Sequence, residues 1–231
     1  KKIRMSWKIK IGKNPLYPYL QIDNWYTEKE LVNIWKEIDF YTSRDVATIE
    51  KAENTVVAHD EKGVSKSNSF RFYLWDLYTP KGKQFSHILN CLYKQRSQEF
   101  KDLVKKAMPL HHDNYAGTNT DATMVSYYDE DQEYKPHSDG TQFTFVIWLH
   151  KEPKKYKGGD FKFTQSNQNI KCLSNRMVMF PSYLEHQVFA VKMFDDATFG
   201  DGRYCITHFF NWEAVNVAKE DLSDDIVVPA F

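Results

Sequence analysis

Residues 134–150 read YKPHSDGTQFTFVIWLH and place two polar side chains directly before an apolar segment. His137 and Asp139 lie one residue apart, and Gly140 then leads into FTFVIWLH, whose β-branched and aromatic residues are typical of a buried strand. Side chains two residues apart on an extended backbone point to the same face. His137 and Asp139 can therefore be directed at one point, which makes them candidate metal ligands.

A metal at this point needs a third ligand. His186, in PSYLEHQVFAV at the start of another predicted strand, is the natural candidate. Two histidines and one carboxylate form the facial triad of non-haem Fe(II) oxygenases, which leaves coordination positions open. A structural zinc site is instead closed by four ligands, usually including cysteine, and no cysteine lies near these residues in the sequence. The alternative for His186 alone is a strand-edge histidine that is hydrogen-bonded to a neighbour.

The spacing His-x-Asp/Glu is by itself a weak signal, because it occurs three times: HHD at 111–113, HSD at 137–139 and HKE at 150–152. The first copy lies in a polar stretch without a closely flanking strand, which predicts a solvated loop. The third copy ends a strand and leads into a charged turn, so we expect its side chains to face solvent. The strand context therefore favours the copy at 137–139.

Composition restricts the classes of function. The chain has 231 residues, with 31 Lys+Arg and 31 Asp+Glu, so its formal net charge is zero and gives no reason to expect nucleic acid or an anionic membrane as a partner. Aromatic residues make up 16% of the chain, which favours strands and a well-packed interior.

Cysteine usage and the apolar runs point to a cytoplasmic protein. Cys91, Cys172 and Cys205 are widely spaced and odd in number, which argues against a disulfide framework and a zinc knuckle and favours reduced, buried thiols. No apolar run is long enough to span a bilayer. The stretch KKIRMSWKIKIG has no signal-peptide core.

The order of elements predicts a mainly β, α+β fold. Helices are expected at 27–40, where Thr27 and Glu30 have capping-box spacing, and from 84 to 107, with a strand at 69–77. Short apolar runs then follow at 122–128, 143–150, 160–165, 176–180, 186–191 and 203–210. This pattern predicts a jelly-roll core with N-terminal helices packed on one sheet. We divide the single domain 1–231 into a helix-rich support (1–110), a jelly-roll catalytic core (111–213) and a C-terminal tail (214–231).

Residues 41–69 are polar and lack sustained periodicity, which predicts a mobile excursion. This excursion is either a flap over the active-site mouth or a surface loop remote from it.

The stretch 122–211 resembles the 2-oxoglutarate/Fe(II)-dependent dioxygenases, specifically their prolyl 4-hydroxylase-like branch. The resemblance is carried, in order, by MVSYY, YKPHSDG, FTFVIWLHK, YKGGDFKF, NRMVMFPSYLEHQV and GRYCITHFF. It implies a double-stranded β-helix and Fe(II) bound by His137, Asp139 and His186. It further implies that Arg203 binds the distal carboxylate of 2-oxoglutarate, for which a planar guanidinium is suited. A surface arginine is the alternative, and Arg203 follows His186 by 17 residues, more than is usual in the family.

Five further residues are expected in the pocket. By resemblance, Tyr128 contacts the co-substrate and Tyr134 the substrate, with ordinary aromatic packing as the alternative for both. Trp148 occupies a position where relatives carry a polar aromatic residue that touches 2-oxoglutarate. Residues 203, 205, 207 and 209 share one strand face, so Arg203, Thr207 and Phe209 can all line the pocket, whereas His208 points away. We expect Thr207 to contact the co-substrate and Phe209 the substrate.

The implied activity is hydroxylation of a C–H bond with Fe(II), 2-oxoglutarate and O₂, releasing succinate and CO₂. By resemblance, the substrate is peptidyl proline in a peptide or protein partner, and ascorbate is a further cofactor. Two alternatives stay open: a hydroxylase of a free amino acid or another small molecule, and an inactive jelly-roll binding module.

Overall fold

The computed structural model describes residues 7–42 and 49–213, so the predicted tail at 214–231 lies outside the described residues. The strands are β1 Lys8–Ile11, β2 Leu20–Asp23, β3 Glu50–Lys51, β4 Phe70–Tyr73, β5 Thr120–Tyr128, β6 Tyr134–His137, β7 Phe143–Leu149, β8 Tyr156–Gly158, β9 Phe161–Phe163, β10 Gln168–Ile170, β11 Arg176–Pro181, β12 His186–Val188, β13 Val191–Met193 and β14 Arg203–Asn211. The α-helices are α1 Glu28–Thr42, α2 Leu74–Leu77, α3 His87–Asn90, α4 Tyr93–Arg96, α5 Gln98–Ala107 and α6 His112–Ala116. Short 3₁₀ helices cover Ala52–Asn54, Pro80–Phe85 and Pro109–His111.

The strands form two facing sheets and one separate pair. The large sheet has eight strands in the order β1-β2-β11-β7-β14-β5-β4-β3, and the small sheet has four in the order β10-β9-β12-β6. The remaining pair is β13-β8, and neighbouring strands run antiparallel. This architecture is a double-stranded β-helix, which confirms the predicted fold class.

Strand β7 shows how the sequence divides the interior into two cores. Every residue of β7 is buried, and successive side chains point to opposite faces of the sheet. Val146 and Trp148 join the core between the two sheets. The alternate residues join the core beneath the helices: Phe143, Phe145, Ile147 and Leu149. A continuous apolar run is therefore required, because neither face of this strand meets water.

Helix α1 begins and packs as its sequence predicts. The Thr27 backbone N–H donates to Glu30 Oε2 at 2.8 Å, and the Glu30 N–H donates to Thr27 Oγ1 at 3.3 Å, which is a capping box. Ile34 and Ile38 are fully buried against the large sheet's helix-facing core. The helices thus pack on one sheet, as expected.

The single long helix predicted over 84–107 is wrong. Ser86 separates the 3₁₀ helix Pro80–Phe85 from α3, and Ser97 separates α4 from α5, because both serines adopt extended backbone and their hydroxyls accept from the N–H groups of Leu89 and Phe100. A serine that caps a new helix competes with continuation of the preceding one. Phe85, whose spacing from Ile88 and Leu89 places it on the apolar face of the predicted helix, is 74% exposed.

Other expectations in the N-terminal half are only partly met. The strand predicted at 69–77 ends at Tyr73, and residues 74–77 form α2 instead. The segment 111–113, predicted to be a loop, contains the end of a 3₁₀ helix and the start of α6. The N-terminal part also supplies β1, β2, β3 and β4 to the large sheet, which its helix-rich pattern did not reveal. No helix in the described ranges is long and apolar enough to cross a bilayer.

His208 faces the helix side of the large sheet, away from the pocket, as predicted. The residue is fully buried, with Nδ1 2.8 Å from Thr123 Oγ1, and burial lowers its pKa from 6.5 to about 4. The unfolded chain therefore takes up a proton at a higher pH than the folded protein does. The stabilising contribution is present above the unfolded pKa and is lost as the pH falls towards the folded pKa.

When the pH falls from about 7 to about 4, the free energy of unfolding of wild type should fall by about 3 kcal/mol more than that of His208→Asn. Urea unfolding at a series of pH values measures this difference. Identical pH dependence of the free energy of unfolding in the two proteins would contradict the assignment.

Candidate active site

The strand register of the small sheet brings the three predicted metal ligands together. His137 ends β6, His186 begins β12, and the two residues are direct partners in the antiparallel pair. Asp139 follows β6, and its backbone N–H donates to the Ser182 carbonyl at 3.0 Å. Asp139 and His186, which are 47 positions apart in the sequence, therefore become neighbours through backbone pairing.

The ligand atoms converge on one point. His137 Nε2 lies 3.8 Å from Asp139 Oδ1, and His186 Nε2 lies 3.6 Å from Asp139 Oδ2. One ligand atom from each of the three residues lies within 4.8 Å of the others, and no other such group occurs within residues 7–42 and 49–213. Two imidazoles and one carboxylate at this separation can bind one face of a metal ion and leave the remaining positions open.

The hydrogen bonds of both imidazoles leave Nε2 available to a metal. His137 Nδ1 lies 2.8 Å from the Lys135 carbonyl, and His186 Nδ1 lies 2.9 Å from the Leu184 carbonyl. A carbonyl can only accept, so Nδ1 carries the proton and Nε2 presents its lone pair. Burial, reinforced by the charge of the neighbouring His186, lowers the pKa of His137 to about 2, so this ring is neutral at physiological pH. The donor set therefore fits a divalent metal ion.

A chain of hydroxyl groups orients the Asp139 carboxylate. Thr144 Oγ1 donates to Asp139 Oδ2 at 2.6 Å, and its oxygen lies 2.8 Å from Ser182 Oγ, which in turn lies 2.9 Å from Thr141 Oγ1. Because the carboxylate only accepts, the donors run from Thr141 through Ser182 and Thr144 to Asp139. None of these hydroxyl residues was predicted from the sequence. The available signal was a threonine at an interior-facing position of an otherwise apolar strand.

We expect Thr144→Val to weaken metal binding by about 10–100-fold, because partners that orient a metal ligand typically contribute this much. Anaerobic titration with Fe(II) measures the affinity. Thr141→Val is the matched control: it removes a hydroxyl that does not touch Asp139, so its effect should be smaller. Equal affinities in Thr144→Val and wild type would show that Asp139 is oriented without this contact.

The triad lines a pocket of about 420 Å³ between the two sheets, and Arg203 lines the same pocket. Arg203 is fully buried, and its Nε and Nη1 have no hydrogen-bond partner among the described residues. Its Nη2 lies 3.5 Å from Cys172 Sγ, and the guanidinium lies 4.7 Å from the centroid of the Tyr128 ring. A buried guanidinium with unused donors is suited to an anionic group that enters the pocket.

The unusual spacing before Arg203 does not remove it from the pocket. Strand β13 and residues 194–202 occupy the additional length, and β14 then begins at Arg203 itself. Gly159 makes room for this side chain: it has a φ of +70°, and a Cβ atom there would lie 2.9 Å from Arg203 Cδ. The glycine pair at 158–159 is thus required by a close approach as well as by a turn.

The other residues predicted from the sequence line the same pocket: Tyr128, Thr207, Trp148, Tyr134 and Phe209. The Tyr134 ring stacks on that of His137, with ring centroids 3.5 Å apart. Trp148 is buried, and its indole Nε1 has no hydrogen-bond partner in the described part of the chain. Whether these residues contact co-substrate or substrate stays a prediction.

The two other His-x-acid copies do not belong to this pocket. The ring of His111 packs near Phe143 and Tyr183, with centroid distances of 6.4 and 6.0 Å. The expectation that His150 faces solvent is wrong, because its side chain is only 11% exposed, whereas Glu152 is 77% exposed. The His150 ring packs edge-on against that of Tyr156, at 6.0 Å, which explains its burial.

The described part of the predicted excursion lies beside the pocket. Val56, Val57 and Ala58 line it, and Ser67 pairs with Tyr134 through an isolated β-bridge. Residues 43–48 lie outside the described residues. Arg71, which was not predicted from the sequence either, lines the pocket and is 2% exposed. Its signal was a charged residue between aromatic residues in a predicted strand.

Comparison with known proteins agrees with this geometry. Residues 106–211 match the model of the 2OG-Fe(II) oxygenase superfamily. The protein carries a 2OG-Fe(II) oxygenase domain. Residues 106–211 therefore form a 2-oxoglutarate-dependent Fe(II) dioxygenase domain, and the cofactor and co-substrates of that superfamily are Fe(II), 2-oxoglutarate and O₂.

Two solved structures resemble the fold of the oxygenase. A prolyl-4-hydroxylase from Pseudomonas putida has a TM-score of 0.57 at 14% identity, covering 85% of this chain and 94% of that one. An oxidoreductase of the 2OG-Fe(II) oxygenase family from Burkholderia pseudomallei has a TM-score of 0.51 at 13% identity, covering 84% of each chain. No curated protein matches the sequence significantly.

Proposed function

We propose that the oxygenase hydroxylates a C–H bond of peptidyl proline, with release of succinate and CO₂. One observation carries the proposed site: the converging triad shares a buried pocket with Arg203, whose Nε and Nη1 have no partner among the described residues. The likeness of the fold to the Pseudomonas putida prolyl-4-hydroxylase supports proline as the substrate class.

His137, Asp139 and His186 would hold Fe(II), which together with 2-oxoglutarate and O₂ supplies the oxidising power for C–H hydroxylation. Their protonation suits this role, since both Nδ1–H groups are already donated to carbonyls. Thr144 Oγ1 donates to the carboxylate of Asp139 and holds it in place. Such pre-orientation reduces the reorganisation that metal binding requires.

Arg203 would bind the distal carboxylate of 2-oxoglutarate through its unused Nε and Nη1 donors. The indole N–H of Trp148 is a further donor in this pocket, and its lack of a partner is explained if the co-substrate accepts from it. Tyr128 and Thr207 would complete the co-substrate end. Because Arg203 is fully buried, its attraction to a carboxylate is weakened little by water.

Tyr134 would position the substrate near the metal, since its ring stacks directly on His137. Its hydroxyl accepts from the Ala58 N–H at 3.2 Å, which links the pocket wall to the segment that passes beside it. Phe209 would add an apolar surface for the substrate.

Formation of succinate from 2-oxoglutarate tests the proposed activity. We expect turnover that requires Fe(II) and O₂ and that increases with a proline-containing peptide, whose mass rises by one oxygen atom. Absence of succinate under all conditions would favour the inactive binding module. Oxygen transfer to a free amino acid, but to no peptide, would favour the small-molecule alternative. Addition of ascorbate to the same assay tests its predicted role.

The described part of the flap predicted at 41–69, residues 49–69, is expected to close over the pocket when a peptide binds, because Val56, Val57 and Ala58 line the pocket. Closure would exclude water from the reacting centre. Hydrogen exchange, measured under nitrogen with and without a turnover-competent peptide, should show increased protection in this segment. Equal exchange in both states would exclude a flap.

A further inference from the structure

A second buried arginine, Arg71, lies in the pocket, and no acidic side chain among the described residues pairs with it. It lies on β4, is 2% exposed, and lines both the active-site pocket and an adjoining cavity of about 510 Å³. Nη1 donates to the Val56 carbonyl at 3.2 Å, and Nη2 makes a long 3.5 Å contact to Ser69 Oγ. Nε has no partner in the described ranges, and no carboxylate there lies within ion-pair distance of Arg71.

This arrangement is energetically unfavourable unless an anion completes it. An arginine cannot lose its proton in a protein, so burial leaves a fixed charge. Buried charges are normally paired, and burial of one without a partner costs several kcal/mol. A carbonyl and a hydroxyl oxygen contribute only partial charges. The ion that would balance Arg71 is therefore not supplied by the described part of the chain.

Arg71 occupies a different part of the pocket from Arg203. Across the large sheet, Arg71 is the register partner of Ser126, which pairs with Cys205 on β14. Two strand spacings, about 10 Å, thus separate the Arg71 backbone from β14. The guanidinium of Arg71 lies 5.5 Å from the centroid of Tyr134, on the side of the pocket where that ring stacks on His137.

A count of charges indicates what the missing anion belongs to. Among the residues that line the pocket, the permanently charged basic side chains are those of Arg71 and Arg203. The charge of Fe(II), the carboxylate of Asp139, the two carboxylates of 2-oxoglutarate and the guanidinium of Arg203 sum to zero. The positive charge of Arg71 is left over. It requires one negative charge, which the second, primary substrate can bring.

We propose that Arg71 binds a carboxylate of the primary substrate, so that the oxygenase selects an acidic molecule. This inference rests on the proposed function, and it narrows the substrate class. One guanidinium matches one carboxylate in charge and in its two parallel hydrogen bonds, whereas a phosphate dianion would leave a charge unbalanced. The carboxylate comes either from a free amino acid or from an acidic residue beside proline in a peptide.

A purely structural role for Arg71 predicts a different result. Its contact with the Val56 carbonyl could serve to hold residues 56–58 against the pocket. Loss of that contact would weaken the binding of every substrate alike. A carboxylate site instead predicts that removal of Arg71 weakens only the binding of acids.

Binding to the protein loaded with Fe(II) and 2-oxoglutarate under nitrogen tests the proposal. The probes are free amino acids, each paired with its own carboxamide, and blocked peptides that carry either Asp-Pro or Asn-Pro. Calorimetry should show that at least one acid binds wild type about 30-fold or more tightly than its amide, as expected for a buried charge pair. In Arg71→Gln, acid and amide should bind equally and at the affinity of the wild-type amide. Arg71→Lys should retain part of the preference.

The two sets of probes identify the source of the carboxylate. Preference confined to the free amino acids assigns a small acid, and preference confined to Asp-Pro assigns an acidic peptide. Lack of any acid preference in wild type, which does not depend on how the variants fold, would overturn the proposal. Equal weakening of acids and amides in Arg71→Gln would also overturn it, as would a raised 2-oxoglutarate requirement with unchanged acid binding.

Failure of the proposed function can be recognised separately. Succinate formation without acid preference refutes the role of Arg71 and leaves the oxygenase activity intact. Acid preference that depends on Arg71, in a protein that forms no succinate, supports the carboxylate site and refutes hydroxylation.

Discussion

His137→Ala and Asp139→Ala are expected to abolish Fe(II) binding and 2-oxoglutarate turnover. Each variant removes one of three ligands whose donor atoms lie within 4.8 Å of one another. Loss of residues that only orient a ligand lowers metal affinity by about 10–100-fold, so loss of a ligand itself should exceed this range. Anaerobic titration with Fe(II) and a succinate assay measure the two effects.

His111→Ala is the matched control, because it removes the histidine of the His-x-Asp copy at 111–113. Its ring packs near Phe143 and Tyr183 but contributes no atom to the triad. We expect normal iron affinity and turnover, with at most a small loss of stability. Loss of iron in this variant, together with full activity in His137→Ala, would refute the assignment of the metal centre.

Arg203→Ala is expected to raise the 2-oxoglutarate concentration needed for turnover by about two to three and a half decades, while Fe(II) still binds. The physical reason is that removing one partner of a buried charge pair costs roughly 3–5 kcal/mol. Arg203 is fully buried with two nitrogen atoms unpaired in the described chain. The apparent affinity for 2-oxoglutarate and a separate Fe(II) titration distinguish a co-substrate defect from a metal defect.

Lys192→Ala is the control for a different basic residue. Lys192 lies eleven positions before Arg203 and is the next basic residue to consider as a ligand of the 2-oxoglutarate carboxylate. In the structure it is about half exposed and pairs with Glu130 and Asp131 on the surface. We expect no change in the 2-oxoglutarate requirement. Unchanged affinity in Arg203→Ala would transfer the role to another base, and Arg71 is then the pocket residue to test.

The strands of the catalytic core could be predicted because their signal is local. The face of β14 that carries Arg203, Cys205, Thr207 and Phe209 follows directly from the two-residue period of a strand, and all four residues line the pocket. The same period places His208 on the opposite face, where it is buried against Thr123. The capping box of α1 is equally local, since Thr27 and Glu30 are three residues apart.

Where a local signal competes with another, the prediction was wrong. The apolar stripe over 84–107 indicates one helix, but Ser86 and Ser97 cap new helices within it. The burial of His150 depends on Tyr156, which reaches it only through the fold. The division of the helix and the burial of His150 could not be predicted from the pattern of residue types. In each case two local arrangements are possible, and packing against the rest of the chain decides between them.

The sequence by itself determined the ligand types, the alternation of buried faces and the identity of the three candidate metal ligands. Tertiary structure alone decided how these parts meet. The register of β6 and β12 joins His137 to His186, Thr144 comes to orient Asp139, and Arg71 enters the pocket without an acidic partner in the part of the chain that the structure describes. The physical reason is that the alternation of side chains along a strand is a local property of the extended backbone. The pairing of distant strands depends instead on how the whole core packs.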